Sequence, residues 1–146
     1  MKRMLVVAAA AALISGCSGQ HRTASTTQSH VYSSLANGRA IFQTGRDFDG
    51  VQIQAKSHPL FNNCEACHRA DGSGGRHFSD GATSADLRFQ ALVVQQKHPY
   101  DITSLERAIS TGIDNEGKPL DPVMPRWKLS ARDLHDIALY VHLKLK

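Results

Sequence analysis

The chain has 146 residues, with 17 basic and 13 acidic side chains and a formal charge of +4 at neutral pH. It has no basic run interleaved with aromatic residues, which argues against a nucleic-acid-binding protein. A chain of this length allows one small domain with a modest hydrophobic core.

The N-terminus has the pattern of a secretory signal. A basic start, Lys2 and Arg3, precedes an apolar run over residues 4–14. The run is too short to span a bilayer, which takes about 20 apolar residues, but it suits the apolar part of a signal peptide. We therefore predict an exported protein.

Residues 14–17, Ile-Ser-Gly-Cys, resemble a bacterial lipobox, in which the cysteine becomes the lipidated first residue of the mature protein. We predict that residues 1–16 are a lipoprotein signal peptide and that Cys17 carries the lipid. An ordinary cleaved signal with an incidental cysteine is the alternative. Residues 17–33 are rich in Ser, Thr and Gln without apolar periodicity, which predicts a flexible tether before a folded domain over residues 34–146.

The first half of that domain reads as short elements joined by loops. A first helix is predicted over residues 34–44, ended by Gly45, with Gly38 and Phe42 on one face. The stretch 46–63 contains a D-F-D-G turn signal and the alternating residues Val-Gln-Ile, which indicates a short hairpin.

The segment Cys64-Glu65-Ala66-Cys67-His68 matches the C-x-x-C-H pattern of c-type haem attachment. Two thiols three positions apart on one helical turn can each form a thioether with one haem vinyl group, and the adjacent imidazole can bind the iron. We predict a short helix over residues 64–69 that holds one covalent haem c through Cys64 and Cys67, with His68 as an iron ligand.

A structural zinc site and a redox disulfide are the two other possible uses of the motif. A structural zinc site needs four Cys or His ligands, and no second cysteine pair occurs. A redox disulfide would need a thioredoxin-like βαβ context, which is not visible. Haem attachment also leaves no free thiol, because Cys17 is assigned to the lipid.

The helices are easier to predict in the second half of the domain. Residues 71–84 form a Gly-rich loop and residues 85–96 a weak helix. A capping box from Thr103 to Glu106 predicts a helix that ends at Gly112. Ser130 with Asp133 predicts the cap of a last helix, whose apolar stripe consists of Leu134, Ile137, Ala138, Val141 and Leu145. The fold class is therefore all-α, a small helical domain with long loops.

Met124 is the candidate for the other side of the iron. It is the only methionine left once the signal is removed, and the prolines at 122 and 125 stiffen its loop. A soft thioether ligand would raise the reduction potential. One alternative is that Met124 only packs in the core. The other is that His98 or His77 binds the iron in its place. Trp127 could donate its N–H to a haem propionate or simply pack in the core. Arg126 could pair with a propionate or face the solvent.

The sequence resembles the class I cytochromes c over about residues 35–146. The resemblance rests on GRAIF (38–42), CEACH (64–68), DGSGG (71–75), LERAISTG (105–112), Val-Met-Pro (123–125) and DLHDIALYV (133–141). It implies helices wrapped around one haem, with the first and last helices crossing near Gly38, Phe42 and Tyr140. It also implies outer-sphere electron transfer as the activity. Because two axial ligands would leave the iron no open site for a substrate, we predict no enzymatic activity.

Two features depart from the family pattern. Residues 45–63 form an insertion between the first helix and the haem motif. No proline occurs between His68 and Pro99, although members often use a proline carbonyl to accept the N–H of the ligand histidine. The sequence therefore leaves the role of the insertion and the partner of His68 unassigned.

The resulting prediction is an electron carrier with His68 and Met124 as axial ligands. It would lie on the periplasmic side of a bacterial membrane, lipid-anchored at Cys17, with a redox protein donor and acceptor and no nucleic acid. The alternatives are a haem enzyme or gas sensor with an open or labile distal site, and a haem subunit of a larger oxidoreductase complex.

Overall fold

The computed structural model of the chain describes residues 22–56 and 61–146. The predicted signal peptide and Cys17, the predicted lipidation site, lie outside these residues. Within the described residues the structure has four α-helices, one π-helical turn and two short strands. They are α1 (Arg22–Thr44), β1 (Gln54–Ala55), α2 (Glu65–His68), the π-helical turn (Gln90–Val94), α3 (Ile102–Thr111), β2 (Trp127–Lys128) and α4 (Ala131–Lys144).

Helix α1 begins at Arg22, twelve residues before the predicted start. No glycine or proline interrupts residues 22–37, so nothing in the local sequence breaks the helix there. The predicted start of the first helix, at about residue 34, is therefore wrong. Residues 28–32 are exposed, so these turns add little to the core. The use of residues 17–33 as a tether stays a prediction.

The first and last helices cross at Gly38, as the resemblance implied. A Cβ atom on Gly38 would overlap the backbone carbonyl of Asp136 and would lie 2.8 Å from the Cβ of Tyr140. The absent side chain therefore lets α1 and α4 approach closely. One turn further along α1, the rings of Phe42 and Tyr140 meet with their centres 5.6 Å apart, within the range favourable for aromatic pairs.

A buried polar cluster reinforces this crossing. Asn37 on α1 donates hydrogen bonds to Asp133 (2.9 Å) and Asp136 (2.8 Å) on α4. Its side-chain oxygen accepts from the backbone N–H of Phe48 at 2.8 Å. Asn37 and Asp136 are almost fully buried, so these bonds offset a desolvation cost that each group would otherwise carry. The cluster links both helices to the start of the 45–63 insertion.

The helix ends partly match the sequence prediction. Helix α3 is capped by Asp101 rather than Thr103: Asp101 accepts from the N–H of Ser104, whose hydroxyl accepts in return. The predicted cap was therefore placed two residues too late, because both positions offer a capping oxygen. The ends at Gly112 and Ser130 are confirmed. The predicted weak helix over 85–96 is reduced to the π-helical turn Gln90–Val94.

The insertion forms a turn and one strand. The D-F-D-G turn is confirmed by the hydrogen bond from Gly50 N–H to the Asp47 carbonyl (3.0 Å), and an antiparallel bridge joins Arg46 to Gln52. Strand β1 then pairs antiparallel with β2, Gln54 opposite Lys128. This pairing, which the sequence did not predict, ties the insertion to the chain just after Met124. None of the described helices is long and apolar enough to cross a membrane.

Candidate cofactor site

The C-x-x-C-H motif lies on α2 and is fastened to α1. The backbone N–H of Cys64 donates to the carbonyl of Phe42 at 3.1 Å, and the N–H of His68 donates to the carbonyl of Cys64 at 2.9 Å. One helical turn therefore presents both thiols and the imidazole, as the spacing predicted. Neither Cys64 nor Cys67 is in a disulfide, so both thiols are free to form thioethers.

Burial keeps these thiols protonated. It raises the pKa of Cys64 to about 12, with a smaller contribution from neighbouring Cys67. Burial also raises the pKa of Cys67, and the charge of Arg76 opposes that rise. A thioredoxin-like pair depends on a lowered thiol pKa. Raised pKa values of Cys64 and Cys67 therefore do not favour the redox-disulfide alternative.

The structure supplies the partner of His68 that the sequence left unassigned. Nδ1 of His68 lies 2.8 Å from the backbone carbonyl of Ala85. A carbonyl can only accept, so Nδ1 must carry the proton and Nε2 keeps its lone pair. Burial lowers the pKa of His68, with partial opposition from the Ala85 hydrogen bond. The imidazole is thus neutral, oriented and able to bind a metal through Nε2.

Glycine-rich residues after the motif bring Ala85 to the imidazole. The N–H of Gly74 donates to the carbonyl of His68 at 2.9 Å, and the hydroxyl of Ser84 donates to the carbonyl of Cys67 at 2.8 Å. Gly74 has φ of +62° and its missing Cβ would overlap the Ala85 carbonyl. The DGSGG loop therefore folds against α2 because glycine permits both the positive φ and the close approach.

A cavity of about 450 Å³ opens between α2 and the loop that contains Met124. Its size falls within the range of about 300–1,000 Å³ that is usual for ligand sites. Cys64, Cys67 and His68 form one part of its lining, and Met124 and Trp127 form another. Aliphatic side chains of the core also line it, including Leu92, Leu105, Ile109, Ile137 and Val141, together with polar residues such as Asp86, Asn115 and Glu116. Free thiols, a neutral imidazole and apolar walls together fit a covalently held haem.

The distal part of the lining is a tight turn ending at Met124. The N–H of Met124 donates to the carbonyl of Asp121 at 3.1 Å, and the N–H of Val123 donates to the Asp121 carboxylate at 2.9 Å. The turn contains Pro122 and is followed directly by Pro125, the two prolines that the sequence indicated. It leaves Met124 half-buried at the cavity wall.

Arg126 makes contacts that neither sequence alternative anticipated. Its guanidinium donates to the backbone carbonyls of Leu120 (2.8 Å), Asp121 (3.3 Å) and Met124. It is therefore engaged with its own loop rather than only with solvent. Trp127 is buried, 4% exposed, in the hydrophobic cluster and lines the cavity, which agrees with the core-packing alternative.

The competing histidines lie elsewhere. His77 is exposed, and its Nδ1 lies 3.0 Å from the hydroxyl of Thr83 on the surface loop. His98 is also exposed, and neither residue lines the cavity. Among the described residues, no group of three or more His, Cys, Asp or Glu side chains could hold a metal ion, so a structural zinc site gains no support there.

Comparison with known proteins supports a haem site at this cavity. A family model described as Cytochrome c matches residues 35–143 of the chain. Among curated proteins and solved structures, none matches the chain significantly. The family match spans the motif on α2, the Met124 loop and most of α4. Together with the helical structure, it confirms the predicted all-α fold class and family.

Proposed function

The chain belongs to the cytochrome c family, and we propose that it transfers single electrons with His68 and Met124 as the axial ligands of its haem iron. Haem-based electron transfer follows from the family, whose members carry one covalent haem c. The proposal adds the ligand pair and the setting. Cys64 and Cys67 occupy the thioether positions of the family motif.

The observation that carries this proposal is that His68 and Met124 line the same cavity. They are 56 positions apart in the chain, yet both line one cavity. His68 commits Nδ1 to Ala85, so Nε2 is the ring atom available to a metal. The thioether of Met124 is a soft donor in another segment of the lining, and its backbone is already held in a turn.

The bound haem supplies the Fe(II)/Fe(III) couple. The residues of this chain would bury it, exclude water and keep both ligand side chains in place, so that little reorganisation would accompany the change of charge. If His68 and Met124 both bind the iron, no position would remain for a substrate. A carrier rather than an enzyme is therefore the activity that the proposed ligand pair supports.

We place the domain on the periplasmic side of a bacterial membrane, held by a lipid on Cys17. Support comes from the signal-like leader and the lipobox over residues 14–17. A tethered domain would meet its redox protein donor and acceptor at high effective concentration. Substituting Cys17→Ser should move the protein from the membrane fraction to the soluble periplasmic extract. An unchanged distribution would contradict lipid anchoring.

Optical spectra of the matured protein test the ligand pair. We expect a low-spin haem with a ferric sulfur–iron charge-transfer band and no reaction with carbon monoxide. The Met124→Ala variant should lose the band and bind carbon monoxide readily, because the sixth position becomes open. A high-spin wild-type spectrum, or carbon monoxide binding by the wild type, would favour a haem enzyme or gas sensor. Co-purification with a tightly bound partner would favour a subunit of a larger oxidoreductase.

A further inference from the structure

We propose that Arg126 is a positioning residue that holds Met124 against the haem cavity. The inference rests on the proposed function, since it concerns the loop that carries the proposed distal ligand. In this structure the side chain is engaged with the carbonyls of its own loop.

The guanidinium donates hydrogen bonds to three carbonyls of one loop. Nη2 donates to Leu120 at 2.8 Å. Nη1 donates to the carbonyl of Met124 itself and, at 3.3 Å, to that of Asp121. Hydrogen bonds from a charged donor are stronger than neutral ones, and the planar fork of arginine can serve several acceptors in one fixed arrangement.

The loop has few donors of its own. Pro122 and Pro125 lack a backbone N–H, and the turn itself contributes the bond from Met124 N–H to the Asp121 carbonyl. Among the described residues, the carbonyls of Leu120 and Met124 accept no backbone hydrogen bond, so both depend on a side chain for a partner. Arg126 supplies that partner and links the two ends of the loop, Leu120 and Met124, through its guanidinium.

The guanidinium is itself fixed by the end of α3. Gly112 ends that helix with φ of +72°, and a Cβ on Gly112 would overlap the guanidinium of Arg126. The N–H of Leu120 also donates to the carbonyl of Gly112 at 2.7 Å. The side chain of Arg126 is thus packed between the end of α3 and the carbonyls of the Met124 loop.

The backbone of Arg126 is fixed from the opposite direction. Its carbonyl accepts from the N–H of Lys56 at 2.7 Å, and the next two residues form β2, which pairs with β1. The insertion therefore anchors Arg126, and Arg126 in turn anchors the loop. Without its side chain the domain would keep its helices and haem motif, but Met124 would be free to move away from the cavity.

The test compares Arg126→Gln, Arg126→Lys and the control Arg107→Gln in the haem-loaded protein. Arg107 also donates to a loop carbonyl, that of Asp114, but not to the Met124 loop. The readouts are the sulfur–iron band and the affinity of the ferric protein for imidazole, which competes for the sixth position. Circular dichroism reports whether each variant is folded.

We expect Arg126→Gln to weaken the band and to raise imidazole affinity about tenfold or more, the order given by losing one charge-assisted hydrogen bond. Arg126→Lys should show a smaller rise, because it keeps the charge but not the fork. Arg107→Gln should behave as wild type. A rise in Arg126→Lys separates positioning from a simple change of charge beside the haem.

The proposal is overturned if wild type has the sulfur–iron band, Met124→Ala loses it, and the Arg126 variants keep both the band and wild-type imidazole affinity. In that case the ligand pair stands and the role of Arg126 does not. If wild type lacks the band, the ligand pair and this inference fail together. Should Arg126→Gln not fold, Arg126→Lys decides alone: wild-type imidazole affinity in that variant overturns the proposal.

Discussion

The contact between Gly74 and Ala85 allows a quantitative test of how the proximal side of the site is built. In Gly74→Ala the new methyl group would overlap the Ala85 carbonyl, which accepts from His68. A side chain at φ of +62° costs about 1 kcal/mol or more. Moving the carbonyl away to relieve the overlap loses a buried hydrogen bond worth about 1 kcal/mol.

We therefore expect Gly74→Ala to lower the free energy of unfolding by about 2–3 kcal/mol. Gly81→Ala is the matched control. Gly81 lies in the same loop with φ of +88°, but a Cβ there would meet nothing within 4 Å. It should cost only the conformational penalty, about 1 kcal/mol. The comparison separates strain of the backbone from displacement of the Ala85 carbonyl.

The assays are thermal unfolding and the NMR signal of the His68 Nδ1 proton in the reduced haem protein. Gly74→Ala should melt at a lower temperature than Gly81→Ala, and the Nδ1 proton should shift or exchange faster only in Gly74→Ala. If both variants melt together and the Nδ1 signal is unchanged in each, the carbonyl of Ala85 does not depend on Gly74, and the reasoning is refuted.

Two further predictions concern the rest of the fold. Lys56→Pro removes the N–H that donates to the Arg126 carbonyl and should cost about 1 kcal/mol or more in urea unfolding. Lys56→Ala keeps that donor and should cost less; equal costs would argue against the strand contact. The Ser104 hydroxyl and N–H lower the pKa of Asp101, so its cap stabilises the protein above the unfolded-state pKa. That stabilisation should fade as pH falls through the lower folded pKa. The melting-temperature difference between wild type and Asp101→Asn should therefore shrink in that acidic range, and a constant difference would contradict it.

Local sequence signals were sufficient where one short segment contains the whole interaction. The haem motif is of this kind, since Cys64, Cys67 and His68 share one helical turn whose geometry is set by hydrogen bonds between near neighbours. The cap at Ser130 and the stop at Gly112 are equally local. The cap of α3 was predicted wrongly because Asp101 and Thr103 both offer a capping oxygen. The start of α1 was predicted wrongly because a polar stretch without apolar periodicity can still be helical where no glycine or proline interrupts it.

Local sequence signals could not predict the hydrogen-bond partners and the strand pairing around the site. The acceptor for His68 is a backbone carbonyl 17 residues away, and every residue type has one, so no side-chain signal marks it. The partners of Arg126 are likewise carbonyls. The pairing of β1 with β2 joins segments more than 70 residues apart through strands of two residues each, which are too short to show a pattern.

The sequence by itself determined that this protein carries a haem c on an all-α domain, because attachment requires specific side chains at a specific spacing. It also predicts the leader and the lipid on Cys17, which lie outside the described residues. Only the tertiary structure decided how the imidazole is oriented and what holds the Met124 loop. Those functions fall to backbone groups and to contacts between distant segments, whose identity depends on how the whole chain packs.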